Sequence, residues 1–192
     1  MKQLWMLTGG NGSGKSTFYE QMLRPKGMPF INADIIAREV FPEDPESNSR
    51  KASMIAAILR NERLREGQSF CFETVFSHPE KIDFIAEARA LGYYVILVFV
   101  HLELPELNEA RVSQRVSDGG HSVPREKIYT RIPRTVQNVI KALPLCNEVH
   151  VLDNSELDDP FRRVLVFKDG EARQLTETLP AWATEFLGQT GH

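Results

Sequence analysis

The sequence predicts a three-layer α/β fold on a mainly parallel sheet, and three observations carry that expectation. Five short apolar runs, at 4–7, 30–31, 69–75, 93–100 and 149–152, have the length and composition of strands. Segments with helical spacing separate them, and βα alternation folds as a parallel sheet with helices on both faces. The third observation is Gly9-Gly10-Asn11-Gly12-Ser13-Gly14-Lys15-Ser16, which fits the phosphate-loop pattern G-x-x-x-x-G-K-[ST] without a mismatch. It lies where that pattern has meaning, between a strand pattern and the helical spacing of residues 18–23. The 192 residues are expected to form one domain, 1–192, with a core of ordinary size.

Each element follows in order. After the loop and its helix, the run at 30–31 ends in Asn32 and Asp34, and a short helix is expected over 35–40. The helix expected over 49–66 carries Ala52, Ile55, Ala56 and Leu59 on one side and is closed by Gly67. Ser77 is read as the cap of the next helix with Pro79 in its first turn, and Gly92 ends it before the most apolar strand. Pro133 predicts a break or kink near Ile132 in the helical stretch 124–143. Beyond Asp153, two strand patterns flank Lys168-Asp169-Gly170, a hairpin signal, and 179–187 reads as a closing helix. The tail, 160–188, is therefore expected as a hairpin plus helix outside a five-stranded sheet.

The loop specifies chemistry. Gly9, Gly10, Gly12 and Gly14 let the backbone of the loop, Asn11 and Ser13 included, turn its N–H groups onto phosphate oxygens, and the following helix presents its positive end to them. Lys15 is expected on the β- and γ-phosphates of ATP, the Ser16 hydroxyl on a magnesium ion, and Thr17 near the α-phosphate.

Loops after strands gather ligands in such folds, so carboxylates there are candidates. Asp34 is read as the base that takes a proton from an acceptor hydroxyl, with helix capping as the competing role. Glu73 is placed either on the acceptor hydroxyl or in the magnesium shell, and Thr74 on a polar substrate group; a plain strand end is the alternative. Arg111 and Arg115, then Arg131 and Arg134, flank Gly119-Gly120-His121. This is the pattern of a lid, over about 105–142, whose arginines neutralise a transferring phosphoryl group, with a solvated basic face as the bland alternative. His121 has no ligand-spaced histidine or cysteine and is read as a hinge or a substrate contact.

Composition limits the partners. A formal charge of −3 gives no global field for nucleic acid or an anionic membrane, and there is no aromatic-basic stripe on which bases would stack. The two cysteines, Cys71 and Cys146, supply neither a disulfide framework nor a metal cluster. No apolar stretch has the length of a membrane span or signal, so a cytoplasmic protein without a membrane partner is expected.

Taken together, the loop through Thr17, Asn32-x-Asp34, Phe72-Glu73-Thr74 and Arg115-Val116-x-x-Gly119-Gly120-His121-x-Val123-Pro124 resemble the zeta toxin family of phosphate-loop kinases, over roughly residues 4–154. The resemblance implies strand order 2-3-1-4-5 and an ATP-dependent kinase. Its studied toxin members phosphorylate a hydroxyl of UDP-N-acetylglucosamine and are held inactive by a small antitoxin. By that resemblance Asp34 is the catalytic base, Lys15 and the lid arginines (Arg115, Arg131 and Arg134 here) bind phosphates, and Glu73 and Thr74 contact the sugar nucleotide. Because the sequence opens on its first strand, an antitoxin is expected to be a separate polypeptide. Other small-molecule or polynucleotide kinases, and an ATPase using the strand 149–153 for magnesium, are the competing readings.

Overall fold

The computed structural model describes residues 1–117, 120 and 122–191. Strands β1 (Gln3–Thr8), β2 (Phe30–Ile31), β3 (Phe70–Thr74), β4 (Tyr94–His101) and β5 (Glu148–Asp153) run parallel in the order β2-β3-β1-β4-β5. The register sets Thr8 beside Thr74 and Phe99, so the carboxyl ends of β1, β3 and β4 open onto one edge. β4 is buried along six of its eight residues, as expected of a central strand covered on both faces.

The sheet has seven strands, not five. β6 (Arg162–Lys168) pairs antiparallel with β5, and β7 (Glu171–Gln174) with β6. The link from Asp153 to Arg162 is too short for a parallel crossover, so the hairpin folds back onto the otherwise open edge of β5. Its two-residue turn is Asp169-Gly170, with φ of 52° and 82°, the left-handed pair that suits the twist of a hairpin.

The layers are unequal. Alternate residues such as Met6, Phe72, Leu97 and Val151 pack against α2 (Ala33–Val40), α3 (Ser49–Arg65), α4 (Glu80–Ala90), the later half of α6 (Arg125–Ala142) and α7 (Ala181–Gln189). The opposite face, with Leu7, Cys71, Val98 and Leu152, is covered by α1 (Lys15–Phe18) and the π-helical turn after it. α5 (Pro105–Ser117) rests on the first half of α6 through Val112, Ile128 and Ile132. Pro133 does not break α6, which is continuous over eighteen residues. The residue is exposed, so water can take the carbonyl that its missing N–H would have served. α4 begins at Glu80 with Pro79 at the cap position and no side-chain cap from Ser77.

Candidate functional site

The phosphate loop is held shut by its own lysine. Lys15 is 7% exposed and donates through Nζ to the carbonyls of Gly9 at 3.0 Å and Gly10 at 2.9 Å. Burial pulls its pKa down; the carboxylates of Glu73 and Asp34 oppose that, and Arg115 adds to it. Glycines of the loop are sterically required. A Cβ on Gly9 would lie 2.1 Å from the Val100 carbonyl, and one on Gly14, at φ 103°, would lie 2.5 Å from Asn154 Nδ2.

A crevice of about 1180 Å³ opens over this loop. Its lining brings together Asn11, Gly12, Gly14, Lys15, Ser16, Thr17, Asp34, Glu73, Thr74, Arg115 and Arg131, residues that span most of the chain. Ser16 donates to Glu73 Oε2 at 2.7 Å, so a hydroxyl and a carboxylate stand side by side at the loop, hard oxygen donors of the kind magnesium accepts alongside phosphate oxygens. No group of three or more acidic, histidine or cysteine side chains among the described residues could hold a metal unaided.

Asp34 is not the helix cap. Asn32 Oδ1 accepts from the N–H groups of Asp34 at 2.7 Å and Ile35 at 3.2 Å and thereby caps α2. The Asp34 carboxylate is exposed at the crevice, with no hydrogen bond or ion pair among the described residues. Thr74 is partly committed: its Oγ1 accepts the N–H of Phe76, a buried aromatic at φ 62°. Such a strained residue needs support. Asn138 donates to its carbonyl at 2.8 Å, and Thr135 donates to that of Val75 at 2.7 Å.

The segment expected as a lid contributes Arg111, Arg115, Val123 and Arg131 to the crevice lining. Arg131 Nη1 donates to Asn11 Oδ1 at 3.3 Å, and Ser122 N–H to Glu46 Oε1 at 3.4 Å, between α2 and α3 in sequence. Gly120 donates to the Arg115 carbonyl at 2.8 Å, and a Cβ there would lie 2.6 Å from Arg115 Cγ, so the chain passes too close over the arginine for any side chain. Arg134 is exposed on α6 and is not part of the crevice lining, which separates it from Arg115 and Arg131. His121, with Asp118 and Gly119, lies outside the described residues.

Sequence reasoning missed the polar groups that fix the loop from behind. Asn108, 2% exposed on α5, donates to the Asn11 carbonyl at 2.8 Å. Asn154, after β5, donates to the Ser13 carbonyl at 2.8 Å and receives Arg111 Nη2 on its own carbonyl at 2.9 Å. Asp153 is buried and accepts from Arg162 at 2.9 Å and from the Ser155 hydroxyl at 2.6 Å, which commits the carboxylate that a second magnesium-binding strand would need free.

Comparison with known proteins agrees with this architecture. Residues 4–132 match the family described as an AAA domain. An uncharacterized protein of Haemophilus influenzae is 28% identical over 137 residues, covering 68% of this chain and 97% of that protein. Dephospho-CoA kinase of Pasteurella multocida is 34% identical over 74 residues, 38% of this chain and 35% of the enzyme. Among solved structures, a chain of the AvrRxo1-ORF1:-ORF2 complex with ATP superposes with a TM-score of 0.75 at 17% identity, covering 99% of this chain and 64% of that one. A chain of the PezAT toxin-antitoxin system of Streptococcus pneumoniae gives 0.66 at 14% identity, covering all of this chain and 85% of that one. At such identities the solved structures establish the fold. The chain spans less than two thirds of the length of the AvrRxo1 chain and about a third of the dephospho-CoA kinase.

Proposed function

The chain belongs to the AAA domain family, with a phosphate loop on a kinase-like α/β fold, and we propose that it is a kinase transferring the γ-phosphate of ATP to a hydroxyl of a small acceptor, a UDP-sugar such as UDP-N-acetylglucosamine. The observation that carries the reading is the free Asp34 carboxylate, relieved of capping by Asn32 and facing the crevice that Lys15 lines.

In this reading the loop N–H groups hold the phosphates, and Lys15 exchanges the carbonyls of Gly9 and Gly10 for oxygens of the β- and γ-phosphates. Ser16 and Glu73 would hold magnesium, which would offset the charge of the phosphates. Asp34 orients the acceptor hydroxyl and takes its proton as the new P–O bond forms and the bond to ADP breaks. Arg115 and Arg131 neutralise the moving phosphoryl group, and the lid keeps out water that would compete with the acceptor. Thr74 contacts the acceptor, and Arg134 serves the solvent face of α6. The fold shared with PezAT supports a separate antitoxin protein as a partner. The described residues contain no helix long and apolar enough to cross a membrane.

The test is product analysis by mass spectrometry after incubation with ATP, magnesium and UDP-N-acetylglucosamine. The sugar nucleotide is expected to gain one phosphate, and Lys15→Ala, if folded, to form none. Phosphate gained by another hydroxyl compound instead would retain the kinase and remove the UDP-sugar.

A further inference from the structure

The half of the crevice away from the phosphate loop is a slot between two helices. α3 contributes Arg50, Ser53, Ala57 and Arg60, which recur at helical spacing along one stripe. α4 faces it with Glu80, Asp83 and Glu87 at the same kind of spacing. The slot is polarised: α3 brings two arginines, and α4 brings three carboxylates against the single cation Lys81, which pairs with Glu80.

Arg60 stands out in it. Its guanidinium lies 5.1 Å over the ring of Phe72, the buried residue that precedes Glu73 on β3. The side chain is half-buried, yet none of its five donors meets a hydrogen-bond or salt-bridge acceptor among the described residues. Burial depresses its pKa, and Glu80 opposes that only at a distance, being itself ion-paired with Lys81. A partly desolvated cation with only a distant, already paired carboxylate nearby gains from a ligand that brings an anion into direct hydrogen-bond contact. The aromatic platform fixes the plane of the fork, which matches the paired oxygens of a phosphate or carboxylate. Arg131 is already engaged on the loop side through Asn11, and Arg115 acts on Lys15, so Arg60 is left to the other molecule in the crevice.

We propose that Arg60 anchors an oxyanion carried by the acceptor, so that the molecule phosphorylated here is already anionic. This rests on the kinase reading. The acidic α4 wall reinforces the polarity: it repels the anion toward α3 and accepts hydroxyl hydrogens, which turns the neutral, hydroxyl-bearing end of the acceptor away from Arg60. Arg50 lies ten residues earlier on α3, about 15 Å along its axis, and would meet a second charged group only in an extended acceptor.

The test compares the parent with Arg60→Met, which keeps an apolar stem on Phe72, and Arg60→Lys, which keeps the charge but not the fork. With the nucleotide site saturated by magnesium and a non-hydrolysable ATP analogue, each protein is titrated with N-acetylglucosamine 1-phosphate, glucuronate and N-acetylglucosamine. The parent is expected to bind at least one of the two anions ten-fold or more tightly than the neutral sugar, the better one identifying phosphate or carboxylate as the anchored group. Arg60→Met should lose that preference, Arg60→Lys should keep part of it, and affinity for the ATP analogue should stay within two-fold in both. Equal binding of the anion by parent and Arg60→Met, or no preference for either anion in the parent, overturns the proposal. A parent that binds ATP analogue and anion but phosphorylates no acceptor would instead overturn the kinase reading and leave the anchor standing.

Discussion

Asp34 sits in the first turn of α2, where an aspartate ordinarily satisfies helix N–H groups, yet Asn32 already occupies those donors. A carboxylate spared that duty and placed at the crevice is free to take a proton. Asp34→Asn should therefore keep ATP affinity and lose at least about a hundredfold in kcat, the lower end of what general-base catalysis is worth. Glu73 has a different neighbour. Its hydrogen bond from Ser16 places it where, in the proposed reading, magnesium would be held, and Glu73→Gln should weaken magnesium-dependent ATP binding measurably. Calorimetry with and without magnesium, beside steady-state rates, separates the two carboxylates; the assignment reverses if Asp34→Asn turns over normally and Glu73→Gln binds ATP like the parent but does not turn over. Both residues were legible as candidates from their place after apolar runs. Which role each could take was not, because the Ser16–Glu73 contact joins residues 57 apart, and the choice of Asn32 over Asp34 as cap rests on side-chain geometry that spacing does not reveal.

At the scale of elements, the two lid helices are tied to the sheet edge by buried amides. Asn108 on α5 holds the Asn11 carbonyl, and Asn138 on α6 holds the carbonyl of the strained Phe76. Removing the Asn138 amide leaves a buried carbonyl unsatisfied and removing that of Asn108 a part-buried one, so Asn138→Ala should cost about 1–3 kcal/mol in denaturant unfolding and Asn108→Ala should fall toward the lower end of that range. They should differ in function: Asn108→Ala raises the KM for ATP because the phosphate loop loses its brace, while Asn138→Ala leaves that KM close to the parent's. Equal effects on ATP would mean that the loop is braced elsewhere. Asn108 was not legible in the sequence, since a polar residue in a helical pattern reads as solvated until its neighbour is known. Thr135 and Asn138 did carry a weak signal, being polar in the stripe that holds Ile128, Ile132, Val139 and Ala142. The five parallel strands were legible because their apolar runs are local. The addition of β6 and β7 to the sheet was not, because edge pairing is a property of β5's unfilled hydrogen bonds and not of the hairpin's own residues.

For the molecule as a whole, the C-terminal helix makes folding sensitive to mild acid. His101 ends β4 with its ring 4.4 Å from that of Trp182 on α7 and 5.2 Å from that of Phe99, beneath the layer that also contains Phe186. Burial lowers its pKa to about 4, despite the opposing pull of Asp153, against an ordinary value of 6.5 in the unfolded chain. Above pH 6.5 the ring is neutral in both states and costs nothing. As pH falls from 6.5 toward 4 the unfolded chain takes up a proton that the native protein refuses, so stability drops through that window and levels off below it, apart from the carboxylates that titrate lower still. His101→Phe keeps a ring against Trp182 and removes the proton. Urea unfolding midpoints at pH 7.5, 6 and 5 should fall steeply for the parent and more gently for the variant, with the two curves diverging as the pH drops. Parallel curves would show that His101 titrates alike in the folded and unfolded chain, and the acid sensitivity would then lie with His150, whose pKa burial also lowers, and with the carboxylates.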